Sequence, residues 1–454
     1  MKFTLLFSSS FIKELKSKKN FQNEIDALFL KYLNTGRAYK KEYKGIPLAS
    51  LAGESSAFAR HLVKDLFSNK YSFDIVRRKV IEMADKDRII YILSLTDLII
   101  HGVVAKALRR YAEPRYMENL FSYRLKIGRY DAINKVTTYI RKHRAQIRDR
   151  KSQGIFVIKK DISNYTEDIP THESSQIWVL LVELLGKQTQ DQIGNWKVLD
   201  FLKFLIRPVI ADRQSYPHCN LKGVPTGSPL SNVVANLYLT KLDSELSRIQ
   251  DALYVRFSDD LIFMHTDPKV IITANTLIDQ HLKELELLPN KKKEKLFYMN
   301  LAGRKHESLL SAQGINQIEF LGLTINFNGT VSMPSKRIKV LLSDIHQRLC
   351  NVYENIKSED PEKDGVALCR IANQILLPYE TSAHPYIALV YESVNDRAQL
   401  KKLDLEIAQQ IASIISNEKG RRAFRDISYK KIRASWGLRS IYLSKNRNSF
   451  NDKE

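Results

Sequence analysis

Tyr254-Val255-Arg256-Phe257-Ser258-Asp259-Asp260-Leu261-Ile262-Phe263 sets two adjacent aspartates between β-favouring apolar runs. Tyr254, Val255 and Phe257 read as an incoming strand, and Leu261, Ile262 and Phe263 as an outgoing one. The Asp pair then sits at a hairpin tip. Neighbouring carboxylates repel, so an apolar hairpin that ends in two of them calls for a neutralising cation. A hard divalent ion fits, because it takes oxygen ligands. A polar turn that merely solvates the hairpin is the competing reading.

A third carboxylate lies upstream. Gly154-Ile155-Phe156-Val157-Ile158-Lys159-Lys160-Asp161-Ile162-Ser163-Asn164-Tyr165 is an apolar, β-branched run that ends at Asp161. It reads as a buried strand delivering that carboxylate at its C-terminal edge. Strands carrying Asp161 and Asp259 side by side would make a two-metal site, with ions roughly 3.5–4 Å apart clamping the attacking and leaving oxygens of a phosphoryl transfer. Between them, Gly223-Val224-Pro225-Thr226-Gly227-Ser228-Pro229-Leu230-Ser231-Asn232 is a Gly/Pro loop that runs into a helix expected over Val233 to Leu242.

In this order the three segments resemble motifs A, B and C of the reverse transcriptase palm. Motif C reads Phe-Ser-Asp-Asp, and motif B reads Gly-x-Pro-x-Gly-x-x-x-Ser followed by Ala235-Asn236-Leu237-Tyr238-Leu239. Phe320-Leu321-Gly322 is similar to the primer grip of the same family. The resemblance covers residues from about 75 to 340 and implies an α+β fold: right-hand polymerase fingers and palm, an antiparallel sheet with helices, then a helical thumb and an all-α C-terminal region. The domains expected are a helical N-terminal extension (1–70), fingers and palm (71–330), the start of a thumb (331–356) and a helical C-terminal region (366–454).

The implied chemistry is RNA-directed DNA synthesis with two Mg²⁺ ions, Mn²⁺ being an alternative. Asp161 and Asp259 would hold both ions, Asp260 would support them, and the Ile162 carbonyl would add a ligand. Pro225 and Gly227 would approach the nucleotide. A fingers hairpin expected over 77–93 would grip the triphosphate through Arg88, with Lys86 or Lys79 assisting, because a planar guanidinium binds phosphate oxygens bidentately. The Leu285–Leu296 stretch resembles motif D, where one of Lys291, Lys292 or Lys293 would approach pyrophosphate, as a general acid. Arg256 would help to neutralise phosphate.

Arg124 and Gly128-Arg129 resemble a fingers segment of group II intron enzymes. Arg124 and Arg129 then contact the template backbone, or they anchor fingers to palm. The basic, aromatic tail from Arg421 to Arg439, Arg433 included, suits RNA stacking and phosphate contact, and equally an amphipathic helix with a basic face. Residues 1–70 suggest amphipathic helices with Ile12, Leu15, Phe21, Ile25, Leu28 and Leu30 inward, holding RNA or capping the fold.

Two positions depart from the family pattern. The aromatic residue that blocks a ribose 2′-hydroxyl usually stands five positions after the first aspartate. Here that position is Thr166, and the aromatic is Tyr165. Either Tyr165 gates through a local bulge or the gate is weakened. Thr226 replaces the glutamine of group II enzymes, which argues against an intron maturase. The retron Val-Thr-Gly triplet and any nuclease motif are also missing. The chain resembles the abortive-infection and unknown-group reverse transcriptases of bacterial phage defence. That implies DNA synthesis on a dedicated noncoding RNA, or untemplated, protein-primed synthesis with Tyr442 or Ser449 as candidate primers. A retron-type enzyme making RNA-linked DNA and a non-catalytic RNA-binding palm are the alternatives.

Composition agrees with a nucleic-acid partner. The chain of 454 residues has 72 Lys and Arg against 50 Asp and Glu, a net charge of +22. That excess favours a polyanion. The hydrophobic fraction of 44% excludes a disordered chain. Cys219, Cys350 and Cys369 show no paired spacing, which points to free thiols in a cytoplasmic setting and to no zinc site. The opening Met1–Phe7 run is too short for a signal peptide, and 89–108 carries Asp97, His101 and Lys106, so no membrane partner is expected. Self-association is left open.

Overall fold

A computed structural model describes residues 10–33, 37–82, 88–149, 153–211, 216–291, 294–377 and 383–445. Two interleaved units emerge: Met1–Gly128 with Phe156–Leu296, and Arg129–Ile155 with Phe297–Glu454.

The first unit begins with helices. In α1 (Lys18–Leu33), Phe21, Ile25 and Leu28 recur at helical spacing and are buried against α2 (Ser55–Phe67). Leu30 departs from the expected inner face and is 62% exposed. Strands β1 (Val76–Ile81) and β2 (Arg88–Ile92) pair antiparallel, with Arg78 opposite Tyr91 and Ile81 opposite Arg88. The hairpin expected over 77–93 therefore forms. Helix α3 (Leu95–Ala112) starts at Ser94, whose hydroxyl accepts from the Asp97 N–H at 3.3 Å. Nearly all of it is buried, which accounts for its apolar run. Among the described residues, no helix is long and apolar enough to cross a membrane.

After α4 (Arg129–Gln146) in the second unit, the chain returns along β3 (Ile155–Asp161). A short helix α5 (Tyr165–Asp168) and α6 (Gln176–Leu185) follow. Helix α7 (Pro229–Tyr238) begins four residues before the position expected from its apolar pattern. Ser228 caps it, accepting from the Leu230 N–H at 3.1 Å, and Pro229 occupies the first turn, where no N–H is needed. After a break at Leu239, the chain resumes as α8 (Thr240–Ser247). Strands β4 (Leu253–Phe257) and β5 (Asp260–His265) form the hairpin read from the sequence, and β5 lies between β4 and β3, antiparallel to both. Helix α9 (Pro268–Glu284) packs on β5.

In the second unit, β6 (Gln317–Phe320) and β7 (Leu323–Asn326) make an antiparallel hairpin. Helix α10 (Ser335–Ile356) buries Leu341, Ile345 and Leu349. The gap between the expected thumb start (331–356) and the C-terminal region (366–454) is mostly helical, with only residues 357–360 between two helices. Asp360 accepts from the Glu362 and Lys363 N–H groups and Pro361 starts α11 (Pro361–Leu376), so these two residues begin a helix as well as end a loop. Helix α12 (Arg397–Ser416) and the shorter helices after it make up the rest of an all-helical C-terminal region. The architecture is the α+β fingers-and-palm arrangement expected, an antiparallel sheet with helices, followed by helices.

Candidate active site

Strand registry brings the acidic residues together. Asp161, the last residue of β3, is the direct cross-strand partner of Asp260, the first of β5. Phe257 pairs with Asp260, so Ser258 and Asp259 form a two-residue turn. Ser258 has φ +61°, the left-handed first position of a type II′ hairpin turn. The Ile162 N–H donates to the Asp259 carbonyl at 3.2 Å and locks the turn to the end of β3. Asp161 is buried, and Asp259 and Asp260 are half-buried. Among the described residues, no three acidic, imidazole or thiol groups close tightly around one point. The donor set still suits magnesium, since it consists of hard oxygens on adjacent strands.

The turn is held from behind by buried polar groups. The Ser258 N–H donates to Ser122 Oγ at 2.8 Å, and that hydroxyl donates to Asn236 Oδ1 at 3.2 Å. The Asn236 amide returns to the Ser122 carbonyl at 2.8 Å. Arg256 is fully buried and forms a bidentate pair with Asp243, Nε to Oδ1 at 2.7 Å and Nη2 to Oδ2 at 2.6 Å. It also donates to the Ser258 and Asn236 carbonyls, and Tyr254 Oη donates to Asp243. Burial alone would lower the Arg256 pKa, but the Asp243 carboxylate beside it outweighs that and keeps it charged. Arg256 therefore braces the hairpin against α7 and α8 and is not available to phosphate, which corrects the role expected for it.

Tyr165 also departs from expectation. Asn164, at φ +43°, turns the chain at the end of β3, and Tyr165 is buried with its hydroxyl donating to the Ala235 carbonyl of α7. Burial raises its pKa and keeps the phenol protonated. It anchors α5 to α7 and cannot gate an open cleft. Thr166 is half-buried, and its carbonyl accepts from the Val224 N–H at 2.8 Å.

In the motif B loop, Pro225 is buried and its carbonyl accepts from Ser231 Oγ at 2.5 Å. Gly227 is exposed at φ +108°, and a Cβ there would lie 3.0 Å from the Tyr91 carbonyl. The Tyr91 N–H in turn donates to the Thr226 carbonyl at 3.0 Å, joining fingers hairpin to loop. Thr226 Oγ1 is buried without a partner.

His101 lies beneath this loop. It is fully buried, with Nδ1 2.7 Å from Ser228 Oγ, and burial pulls its pKa down to about 3. The unfolded chain takes up a proton near pH 6.5 and the folded chain does not. His101 should therefore cost nothing above that pH and lower stability as pH falls, by about 2 kcal/mol at pH 5. Urea unfolding of His101→Phe against wild type should show a smaller loss of stability between pH 7 and pH 5. An unchanged slope contradicts the assignment.

Arg124 donates to Glu113 at 2.7 Å and to the Met117 and Leu120 carbonyls at 2.9 and 3.3 Å, all within its own stretch of chain. Arg129 is exposed at the start of α4. Arg433 donates inward to the carbonyl of Leu438, in the loop that follows its helix. Phe320 is a core residue. Leu321 and Gly322 form the β6–β7 turn at φ +48° and +81°, and a Cβ on Gly322 would strike the Arg337 guanidinium. Lys79 is exposed on β1. Lys86, Lys292, Lys293, Ser449 and the Arg88 side chain lie outside the described residues. Tyr442 sits beneath the Lys401 ammonium, 5.0 Å from its ring centre.

Sequence reasoning passed over Ser122, Asn236, Asp243 and Asn290. Asn236 and Asn290 stand inside stretches that the motifs single out, but nothing local tells a buried polar brace from a surface one.

Residues 82–325 match the family described as reverse transcriptase (RNA-dependent DNA polymerase). No curated protein sequence matches. Similar solved structures include an apo telomerase from Candida tropicalis truncated from its C-terminal domain, at 13% identity and TM-score 0.44, covering 64% of this chain and 61% of that one. Another is telomerase from Candida albicans in complex with a TWJ fragment of telomeric RNA, at 14% identity and TM-score 0.44, covering 86% and 67%. The chain thus spans about three fifths of the first telomerase. With more than half of its residues inside the family match, and with the Asp-bearing strands in register, the chain belongs to the reverse transcriptase family.

Proposed function

We propose that the chain is an RNA-directed DNA polymerase. The observation that carries this reading is the registry of Asp161 against Asp260, with Asp259 in the adjoining β4–β5 turn. Asp161, Asp259 and the Ile162 carbonyl would hold two Mg²⁺ ions, with Asp260 in support. Such ions, when bound, lower the pKa of a primer hydroxyl and neutralise charge on the triphosphate. The protein's own contribution is then positioning. Lys79 and Arg88 of the fingers hairpin would hold phosphate oxygens, and Lys291 would do so from the loop after α9.

A cavity of about 450 Å³ supports a template seat. Lys31, Tyr32, Lys41, Tyr91 and Gly227 line it, with Ile90 and Leu98 adding apolar surface. Cations beside aromatic rings suit single-stranded RNA. In the second unit, Leu321 holds a left-handed backbone that costs a leucine about 1 kcal/mol, a strain in keeping with a primer-contacting turn.

With Tyr165 tied to α7, Thr166 would face the sugar, and discrimination against ribonucleotides should be weak. Thr166→Phe should lower incorporation of ribonucleotides relative to deoxyribonucleotides, by on the order of 10²-fold. Single-nucleotide extension with each sugar measures this, and an unchanged ratio contradicts it.

The resemblance to defence-associated enzymes supports a dedicated noncoding RNA as template and a role against phage in the bacterial cytoplasm. Sequencing nucleic acid that co-purifies with the protein, together with dNTP incorporation on that RNA, tests the reading. A single RNA species copied into DNA is the expected result. A protein that carries RNA but incorporates no nucleotide with Mg²⁺ or Mn²⁺ contradicts it.

A further inference from the structure

The loop after α9 reaches Asp161 itself. The Asn290 N–H donates to the Asp161 carbonyl at 2.7 Å, and the Asn290 side-chain amide donates to Asp161 Oδ1 at 3.0 Å. Just before it, the Leu288 carbonyl accepts from the Ser163 N–H at 2.9 Å, and Pro289 forms a bridge with Ile162. Just after it, the Glu294 N–H donates to the Asn290 carbonyl at 2.9 Å, and Glu294 pairs with the buried Lys160 at 2.7 Å. The loop is thus stitched along both edges to the end of β3.

Of these contacts, only the Asn290 amide meets the Asp161 carboxylate. The rest are backbone bonds or face Lys160, which lies on the opposite side of the strand from Asp161. A carboxylate turns about a single soft torsion, so a donor on one oxygen sets the direction of the other. An amide suits this position because it donates without adding charge. An aspartate there would repel Asp161, and a lysine would compete with a cation.

We propose that Asn290 is a positioning residue for Asp161: its amide fixes the plane of the carboxylate that meets the metal, and ties that plane to the loop carrying Lys291. The proposal rests on the polymerase reading for its meaning, but metal binding can be measured without it. Partners that orient a metal-ligating carboxylate are each worth roughly 10- to 100-fold in metal affinity.

The test is Mn²⁺ binding by the full-length protein, followed by electron paramagnetic resonance, in wild type and in Asn290→Leu. Leucine keeps the volume and the backbone bond and removes the donor. The expected result is about tenfold weaker Mn²⁺ binding. The Mg²⁺ concentration for half-maximal dNTP incorporation should rise by the same factor, with the rate at saturating Mg²⁺ within about twofold. A purely structural role would lower the melting temperature and leave the metal dependence alone. If leucine itself lowers the melting temperature by more than about 5 °C, Asn290→Ala, which adds no volume, is measured in its place. Unchanged Mn²⁺ affinity in the variant overturns the proposal even where wild type polymerises. A wild type that binds Mn²⁺ but incorporates nothing overturns the polymerase reading, and the binding comparison still decides the role of Asn290.

Discussion

Asp259→Asn should reduce nucleotide incorporation by on the order of 10³-fold, while the protein still folds and still binds RNA. Asparagine matches aspartate in size and can keep the turn, because the 3.2 Å bond from the Ile162 N–H goes to the backbone carbonyl and not to the side chain. What is lost is charge. A neutral amide is a poor ligand for a hard divalent ion, and a loss of about 4 kcal/mol of transition-state stabilisation corresponds to that factor. The measurement is primer extension on an RNA template, with RNA binding and circular dichroism run alongside. Activity within tenfold of wild type would remove Asp259 from the chemistry, and with it the central support for a metal-dependent polymerase.

The second large effect concerns stability. Arg256→Met should destabilise the protein by about 3–5 kcal/mol, because Asp243 would be left buried with its strongest partner gone. Asp243→Leu should cost a similar amount. The double variant should recover part of the loss, since it strands no charge. Recovery stays incomplete because Tyr254 Oη loses its acceptor and the Ser258 and Asn236 carbonyls lose a donor. Urea unfolding of the four proteins gives the coupling energy directly. Additive single effects would mean that the bidentate pair is not the brace described. The Arg256→Met protein should also lose activity beyond its loss of folded fraction, because the same guanidinium holds the carbonyl of Ser258, the residue before Asp259.

These two cases mark where the sequence is readable. Asp161, Asp259 and Asp260 stand out because each borders a continuous apolar run that reads as a buried strand. The Phe-Ser-Asp-Asp hairpin and the 77–93 hairpin follow from local rules of the same kind. The role of Arg256 does not. An arginine on an alternating strand looks the same whether it meets solvent or a buried aspartate thirteen residues earlier, and only packing against α7 and α8 decides. Tyr165 fails for a related reason. Its displacement by one place is visible, but the left-handed turn at Asn164 that drives it under α7 is not. Asn290 is hidden among lysines that draw attention to charge, whereas its own effect depends on a contact 129 positions away.

The interleaving of the two units bears on synthesis. A nascent chain that has emerged as far as Gly128 carries only half of the first unit, and the segment that follows belongs to the second. The first unit cannot close until residues 156–296 have left the ribosome, so β3 waits on its neighbour β5, which is made only after α7 and α8. Such long-range closure is slow and exposes unpaired strand edges meanwhile. The half-made chain, with β3 still unpaired, is therefore the species most exposed to misassembly.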